Sequence, residues 1–154
     1  MRPDGGRGPL AAGVIAPEVV GIDGLGHEVR LSAQRGHPSV VYFYPRDGTP
    51  GCTKEACAIR DNWARFEKAH VTVIGVSSDS AERHAAFLRE RKLPFALAAD
   101  GSGEVASAYG VTKKLWGFDR VTFLIDGSGR IARYFGNVDP GVHAEQILDA
   151  IGTE

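Results

Sequence analysis

The chain contains two cysteines, and the first follows a segment that would make a sulfur reactive. A strand-like stretch, 40–44, leads through a loop rich in proline and glycine into a predicted helix. Thr49 suits the N-cap of that helix and Pro50 its first position, which puts Cys52 at the third. There the sulfur is close to unpaired backbone N–H groups and to the positive end of the helix dipole, which favour the thiolate. Such sites lower the pKa of a cysteine from about 8.5 to roughly 3.5–7.5, so the spacing predicts a nucleophilic sulfur.

Cys57 lies five residues further along the same predicted helix. Five residues correspond to a rise of about 7.5 Å and a rotation of about 140°, which separates the two Cα atoms by roughly 8–9 Å. A disulfide requires less than about 7 Å, so the thiols cannot join while the helix is intact. If they do join, the first turns must unwind, and the weak helix start at 49–51 would permit this. The alternative for Cys57, between Ala56 and Ala58, is a buried side chain without chemistry.

No metal or cofactor site is predicted. The gap of four residues between the cysteines is not a usual zinc-binding spacing, and no second pair of ligands follows. None of the five histidines stands at a spacing that suggests a ligand pair, and surface positions are expected for all of them.

The composition excludes several classes of protein. The 154 residues are 43% hydrophobic and 24% charged, with a net charge of -1, which is ordinary for a globular domain. Interspersed charges of both signs indicate no nucleic-acid or anionic membrane partner. The apolar runs are too short to span a bilayer. Two cysteines do not make a secreted disulfide scaffold, and no continuous apolar segment precedes Ala16, so a cytoplasmic location is expected.

Strands and helices that alternate along the chain indicate an α/β domain with a mixed central sheet flanked by helices. The glycine-rich turn at 23–26 predicts an N-terminal β-hairpin over 19–31. Residues 1–12 are expected to form a flexible lead-in and 13–154 a single domain. Further strands are predicted at 39–44, 71–77, 95–98, 120–125 and 130–135, and helices at 56–69, 80–91, 103–109 and 140–151.

The segment 42–57 resembles the active-site motif of the peroxiredoxins, Pro-x-x-x-Thr-x-x-Cys, present here as Pro45, Thr49 and Cys52. It is most similar to the peroxiredoxin Q or bacterioferritin comigratory protein group. That group reads Tyr-Phe-Tyr-Pro and then Thr-Pro-Gly-Cys-Thr-x-Glu-Ala-Cys. The segment 120–126 resembles the arginine-bearing strand of the same family.

The resemblance implies a thioredoxin-like fold and the reduction of hydrogen peroxide or organic hydroperoxides. The Cys52 thiolate would attack a peroxide oxygen and become a sulfenic acid, while water or an alcohol leaves. Thr49 and backbone N–H groups would hold the peroxide, Arg120 would stabilise thiolate and transition state, and Pro45 would shield the sulfur from water. Cys57 would then form an intramolecular disulfide, which thioredoxin or a similar dithiol would reduce.

Other residues have two interpretations each. Glu55 would either orient polar groups around the loop or complement the helix dipole. Tyr44 would either place its hydroxyl near the site or be an ordinary half-buried strand residue. Trp116 and Phe118 would either form an apolar wall over the site or pack in the core. Asp47 is expected to be a solvated loop charge.

Two other classes of function stay open. A thioredoxin-type disulfide reductase usually has Cys-x-x-Cys, and the sequence has no such motif. A redox-sensing or holdase protein could use the same scaffold without catalytic turnover. The resemblance to the peroxiredoxin Q group implies a monomer.

Overall fold

The computed structural model describes residues 8–136 and 138–152, with Cys52 and Gly152 described by their backbone alone. The strands are β1 (Val20–Ile22), β2 (Glu28–Arg30), β3 (Ser39–Phe43), β4 (Thr72–Ser77), β5 (Ala96–Ala99), β6 (Lys113–Lys114), β7 (Gly117–Phe118), β8 (Val121–Ile125) and β9 (Ile131–Phe135). The helices are α1 (Pro50–Asp61), α2 (Trp63–Lys68), α3 (Ala81–Arg91), α4 (Glu104–Tyr109) and α5 (His143–Gly152). None of these helices is long and apolar enough to cross a membrane.

Within the described residues, the main sheet has seven strands in the order β2-β1-β5-β4-β3-β8-β9. Strand β3 is parallel to β4 and antiparallel to β8, and β4 is parallel to β5. The hairpin of β1 and β2 joins the edge next to β5. The sheet is therefore mixed, and the predicted N-terminal hairpin is confirmed.

Strand β3 lies in the interior of the sheet, between β4 and β8, and every one of its side chains is buried. Val40 and Tyr42 face one hydrophobic core, and Val41 and Phe43 face the other, as the alternation of a strand requires. Helices α1, α2, α3 and α5 cover the first core, whereas α4 contributes to the second. A strand with two apolar faces reads as a continuous hydrophobic run, which explains why the sequence identified it.

The end of the expected lead-in is packed against the domain. Leu10 is buried in the second core, and its N–H donates to the carbonyl of Tyr109 at 3.1 Å. Residues 1–7 lie outside the described residues, so the division of the chain at residue 12 stays a prediction.

The single helix predicted over 56–69 is instead two helices, which separate at Asn62. The backbone of Asn62 leaves the helical conformation, with φ −103° and ψ 14°. Its side-chain Nδ2 donates to the carbonyl of Ala58 at 2.8 Å, an example of an asparagine that competes for helical backbone groups. The apolar face survives the break, because Ile59 and Phe66 are both buried in the first core.

A second, two-stranded hairpin of β6 and β7 was not predicted. Lys113 and Lys114 are exposed, and they pair with Phe118 and Gly117. Phe118 anchors the hairpin because its side chain is buried in the second core. The hairpin carries Leu115 and Trp116 at its tip.

Candidate active site

The loop between β3 and α1 borders an open cavity of about 560 Å³. Three of the residues predicted for catalysis lie in its wall, namely Pro45, Thr49 and Arg120, together with Gly51 of α1. The remaining lining residues are Arg46, Leu115 and Trp116. Side chains from the loop, from the hairpin of β6 and β7, and from the segment before β8 therefore converge on the first turn of α1.

Thr49 occupies the N-cap position that the sequence predicted, and its backbone carbonyl accepts from the N–H of Thr53 at 2.8 Å. Its hydroxyl makes no capping hydrogen bond to the helix. The Oγ1 atom instead donates to the carbonyl of Arg46 at 3.0 Å, which closes the loop on itself. Because Thr49 also lines the cavity, the lone pairs of this hydroxyl are available to accept from a bound molecule.

Cys52 is the third residue of α1, as predicted. Its side chain lies outside the described residues, so the lowered pKa of its thiol stays a prediction. The guanidinium of Arg120 lies against the same helical turn. A Cβ atom built on Gly51 would be only 3.0 Å from Arg120 Nη2, so the missing side chain lets the cation approach the backbone beside Cys52.

Glu55 pairs with the guanidinium of Arg120. Its Oε1 accepts from Arg120 Nη1 at 2.8 Å, and the carboxyl is 1% exposed. Burial raises the pKa of Glu55 to about 7, because desolvation outweighs the attraction and the hydrogen bond of Arg120. The other oxygen, Oε2, has no hydrogen-bond partner among the described residues, in line with this dry environment. The contact fits the interpretation that Glu55 orients polar groups at the site.

Pro45 is held by the hairpin of β6 and β7. Gly117 has a φ of 121°, and a Cβ atom there would be 2.2 Å from the carbonyl oxygen of Pro45. Only glycine allows the hairpin to pack this closely against the loop. Beyond Gly117, Leu115 is 98% exposed and Trp116 is 60% exposed, and both form a wall of the cavity. Trp116 and Phe118 were both considered for such a wall. Trp116 lines the cavity, whereas Phe118 is buried in the second core.

Cys57 lies on the same helix as Cys52 and is partly buried. Helix α1 is continuous from Pro50 to Asp61, so both cysteines belong to one unbroken helical segment. The separation expected from helix geometry therefore applies, and a disulfide between them requires this segment to unwind.

Comparisons with known proteins identify the family of this chain. The sequence model described as the AhpC/TSA family matches residues 12–134. The chain belongs to the AhpC/TSA family. Chloroplastic peroxiredoxin Q of Sedum lineare is 43% identical over 129 residues, which cover 82% of this chain and 69% of the relative. Chloroplastic peroxiredoxin Q of Oryza sativa subsp. japonica is 42% identical over 144 residues, which cover 92% of this chain and 66% of the relative.

Solved structures agree with this membership. The structure of the Xanthomonas campestris bacterioferritin comigratory protein aligns with a TM-score of 0.80 and 30% identity over 88% of this chain and 90% of that chain. Within its family, the chain belongs to the peroxiredoxin Q and bacterioferritin comigratory protein group, and the predicted thioredoxin-like fold is confirmed. It spans about two thirds of the length of the two plant relatives.

Several polar residues near the loop lie in places that the sequence did not predict. Asp47 was expected to be solvated, but it is 2% exposed. Surface positions were expected for all histidines, yet His84 and His143 are buried. Tyr44 is fully buried, and its hydroxyl donates to Oδ1 of Asp47 underneath the loop. The partners of the two histidines are distant in the chain, Asp47 for His84 and Thr122 for His143, so no local pattern could reveal their burial.

Proposed function

We propose that the chain is a thiol-dependent peroxidase that reduces hydrogen peroxide and organic hydroperoxides through Cys52. One observation carries this proposal: Pro45, Thr49 and Arg120 meet at an open cavity around the helical turn that bears Cys52. A thiol at such a position, next to a guanidinium, has the surroundings that stabilise a thiolate. The membership in the peroxiredoxin Q group supports the same activity.

In the first step, the Cys52 thiolate attacks one peroxide oxygen and displaces the other. The S–O bond forms as the O–O bond breaks, so the sulfur is oxidised to a sulfenic acid and the peroxide is reduced to water or an alcohol. Arg120 stabilises the negative charge that moves from the sulfur to the departing oxygen. The hydroxyl of Thr49 and the backbone N–H groups of the first turn hold the peroxide in line with the sulfur.

The hairpin tip supports organic hydroperoxides as substrates. Leu115 and Trp116 give the cavity an apolar wall opposite the polar loop. An alkyl group that covers such a wall removes apolar surface from water, which favours binding. The related Xanthomonas campestris structure was determined in a study of alkyl peroxide reduction.

In the second step, the Cys57 thiolate attacks the sulfenic sulfur of Cys52, forms an intramolecular disulfide and releases water. Because both residues lie on continuous α1, its first turns must open. Thioredoxin or a similar dithiol then returns two electrons and restores both thiols. The cytoplasmic location and the monomeric state stay predictions from the sequence.

Stopped-flow oxidation of the reduced protein by hydrogen peroxide, followed by the fluorescence of Trp63 and Trp116, tests this function. We expect a fast change that Cys52→Ser abolishes, because a serine hydroxyl stays protonated at neutral pH. We expect a slower second change that Cys57→Ser removes, together with recycling by thioredoxin. Reduction of insulin disulfides without peroxide would identify a disulfide reductase. Oxidation without turnover would identify a redox sensor or holdase.

A further inference from the structure

A buried polar network lies beneath the loop between β3 and α1. Its centre is Asp47, the middle residue of 45–49, which is 2% exposed, and His84 of α3, which is 3% exposed. His84 Nδ1 is 2.5 Å from Asp47 Oδ2, and the hydroxyl of Tyr44 donates to Asp47 Oδ1. Both carboxylate oxygens of a loop residue are thus bonded to side chains of the scaffold.

The surroundings of His84 define how the pair shares its proton. His84 Nε2 is 3.1 Å from the carbonyl oxygen of Ala98. A carbonyl can only accept, so Nε2 carries a hydrogen. A single proton then lies between Nδ1 and the carboxylate of Asp47, and the two residues together have no net charge. A buried pair of this kind is costly to break from one side, because the remaining partner keeps its charge without compensation.

The backbone of Asp47 is held as well. Its N–H donates to Asp79 Oδ2 at 2.7 Å, and its carbonyl accepts from Arg83 Nη2 at 3.4 Å. Asp79 also accepts from Ser77 Oγ at 2.7 Å and pairs with Arg83 Nε at 3.2 Å. The carboxylate of Asp47 is therefore bonded to His84 and Tyr44, whereas Asp79 and Arg83 are bonded to the backbone of Asp47 and to each other. Groups from β4, α3 and the turn between them fix this one loop residue.

We propose that His84 and Asp47 form a positioning pair that fixes the loop 45–49 and so orients Pro45 and Thr49 around the Cys52 thiol. Asp47 is two residues from Pro45 and two from Thr49, and neither Asp47 nor His84 belongs to the lining of the cavity. The pair acts through the loop and not on the peroxide itself. This inference rests on the proposed peroxidase function.

The test compares His84→Gln, Asp47→Asn and the double variant. His84→Gln leaves the buried carboxylate of Asp47 without the partner that shared its proton. The D47N amide can still accept from the Tyr44 hydroxyl and donate to a neutral His84, so it keeps the hydrogen bonds without the charge. We expect His84→Gln to slow the oxidation of Cys52 by hydrogen peroxide about tenfold to hundredfold, the range expected for a misplaced catalytic group. Asp47→Asn should slow this oxidation less, and Cys52 of the double variant should be oxidised faster than Cys52 of His84→Gln.

The pH profile of the oxidation rate separates positioning from a general loss of stability. In His84→Gln, the midpoint that reports ionisation of Cys52 should shift, because the loop around the thiol has moved. Leu88→Val is the matched control, since it weakens the packing of α3 and removes no hydrogen bond of the network. It should lower the melting temperature and leave the midpoint unchanged. His37→Gln, an exposed histidine, should change neither quantity.

An unchanged rate and an unchanged midpoint in folded His84→Gln would overturn the positioning role. A loss of rate in His84→Gln that Leu88→Val matches at equal melting temperature would overturn it too. In both cases the wild-type chain consumes peroxide, and the peroxidase function stands. A wild-type chain without peroxidase activity would instead remove the proposed function, and the positioning role with it.

Discussion

Raising the pH from 5 to 8 should destabilise the chain through Glu55. Burial raises the pKa of this carboxyl to about 7 in the folded protein, from an ordinary value of 4.5. The folded state therefore keeps a proton that the unfolded chain has already released. The stability that results is fully present below pH 4.5 and is lost as the pH rises through 7.

The size of the effect follows from the two pKa values. A pKa difference of one corresponds to about 1.4 kcal/mol, so values of 4.5 and about 7 give about 3 kcal/mol over the complete titration. Most of this, about 2 to 3 kcal/mol in the free energy of unfolding, is lost between pH 5 and pH 8. Glu55→Gln removes this titration and still offers Arg120 an acceptor oxygen.

Urea unfolding at several pH values, followed by the fluorescence of partly buried Trp63, measures the effect. Cys52→Ser with Cys57→Ser serves as the parent, so that neither thiol titrates or oxidises during the experiment. The free energy of unfolding of this parent should fall from pH 5 to pH 8 by about 2 to 3 kcal/mol more than that of the same chain with Glu55→Gln. Subtraction cancels the titration of every group that the two proteins share.

Parallel pH profiles of the two proteins would refute this reasoning, since they would mean that Glu55 has the same affinity for a proton in both states. A parent that gains stability relative to Glu55→Gln as the pH rises would refute it more strongly. The ion pair with Arg120 would then outweigh desolvation, and the carboxylate would be ionised throughout.

Three further predictions concern the cavity wall, a helix cap and a buried histidine. Leu115→Ala with Trp116→Ala should raise the KM for an alkyl hydroperoxide several-fold and leave the KM for hydrogen peroxide unchanged, because only the alkyl group covers the apolar wall. Steady-state assays with both substrates measure this, and an equal change in both KM values would contradict it. Ser80→Ala should lower the free energy of unfolding by about 1 kcal/mol in urea titrations, because Ser80 Oγ accepts from the N–H of Arg83 at 3.2 Å. Ser80→Asp keeps an acceptor at this position and should retain most of that stability. Burial lowers the pKa of His143 from 6.5, so its contribution to stability is lost as the pH falls through that lowered value. His143→Gln should therefore flatten the acid side of the profile of stability against pH. An unchanged acid side would contradict this prediction.

Much of the fold and the position of Cys52 in the first turn of α1 could be predicted because they depend on short stretches of chain. The apolar run of β3 indicated a buried central strand, since both of its faces had to be covered. Thr49 and Pro50 indicated where α1 begins, and with it the place of Cys52 in the first turn. The glycine-rich turn at 23–26 indicated the N-terminal hairpin. In each case the residues that set the conformation are neighbours along the chain, so their spacing carries the information.

Other features arise only when distant segments meet. The break at Asn62 did not show in the apolar spacing, because Ile59 and Phe66 face the same core on both sides of it. The burial of Asp47 depends on His84, which lies 37 residues away in the sequence. A charged residue alone in a sequence is expected at the surface, and only a partner of complementary hydrogen bonding makes its burial possible.

The sequence by itself determined which sulfur could react, because the start of a helix is a local property of the chain. Only the tertiary structure decided what surrounds that sulfur, how Glu55 holds Arg120 against the helical turn, and which groups support the loop from below. The physical reason is that desolvation and charge pairing depend on distances through space, and the chain acquires those distances only when its sheet and helices pack together.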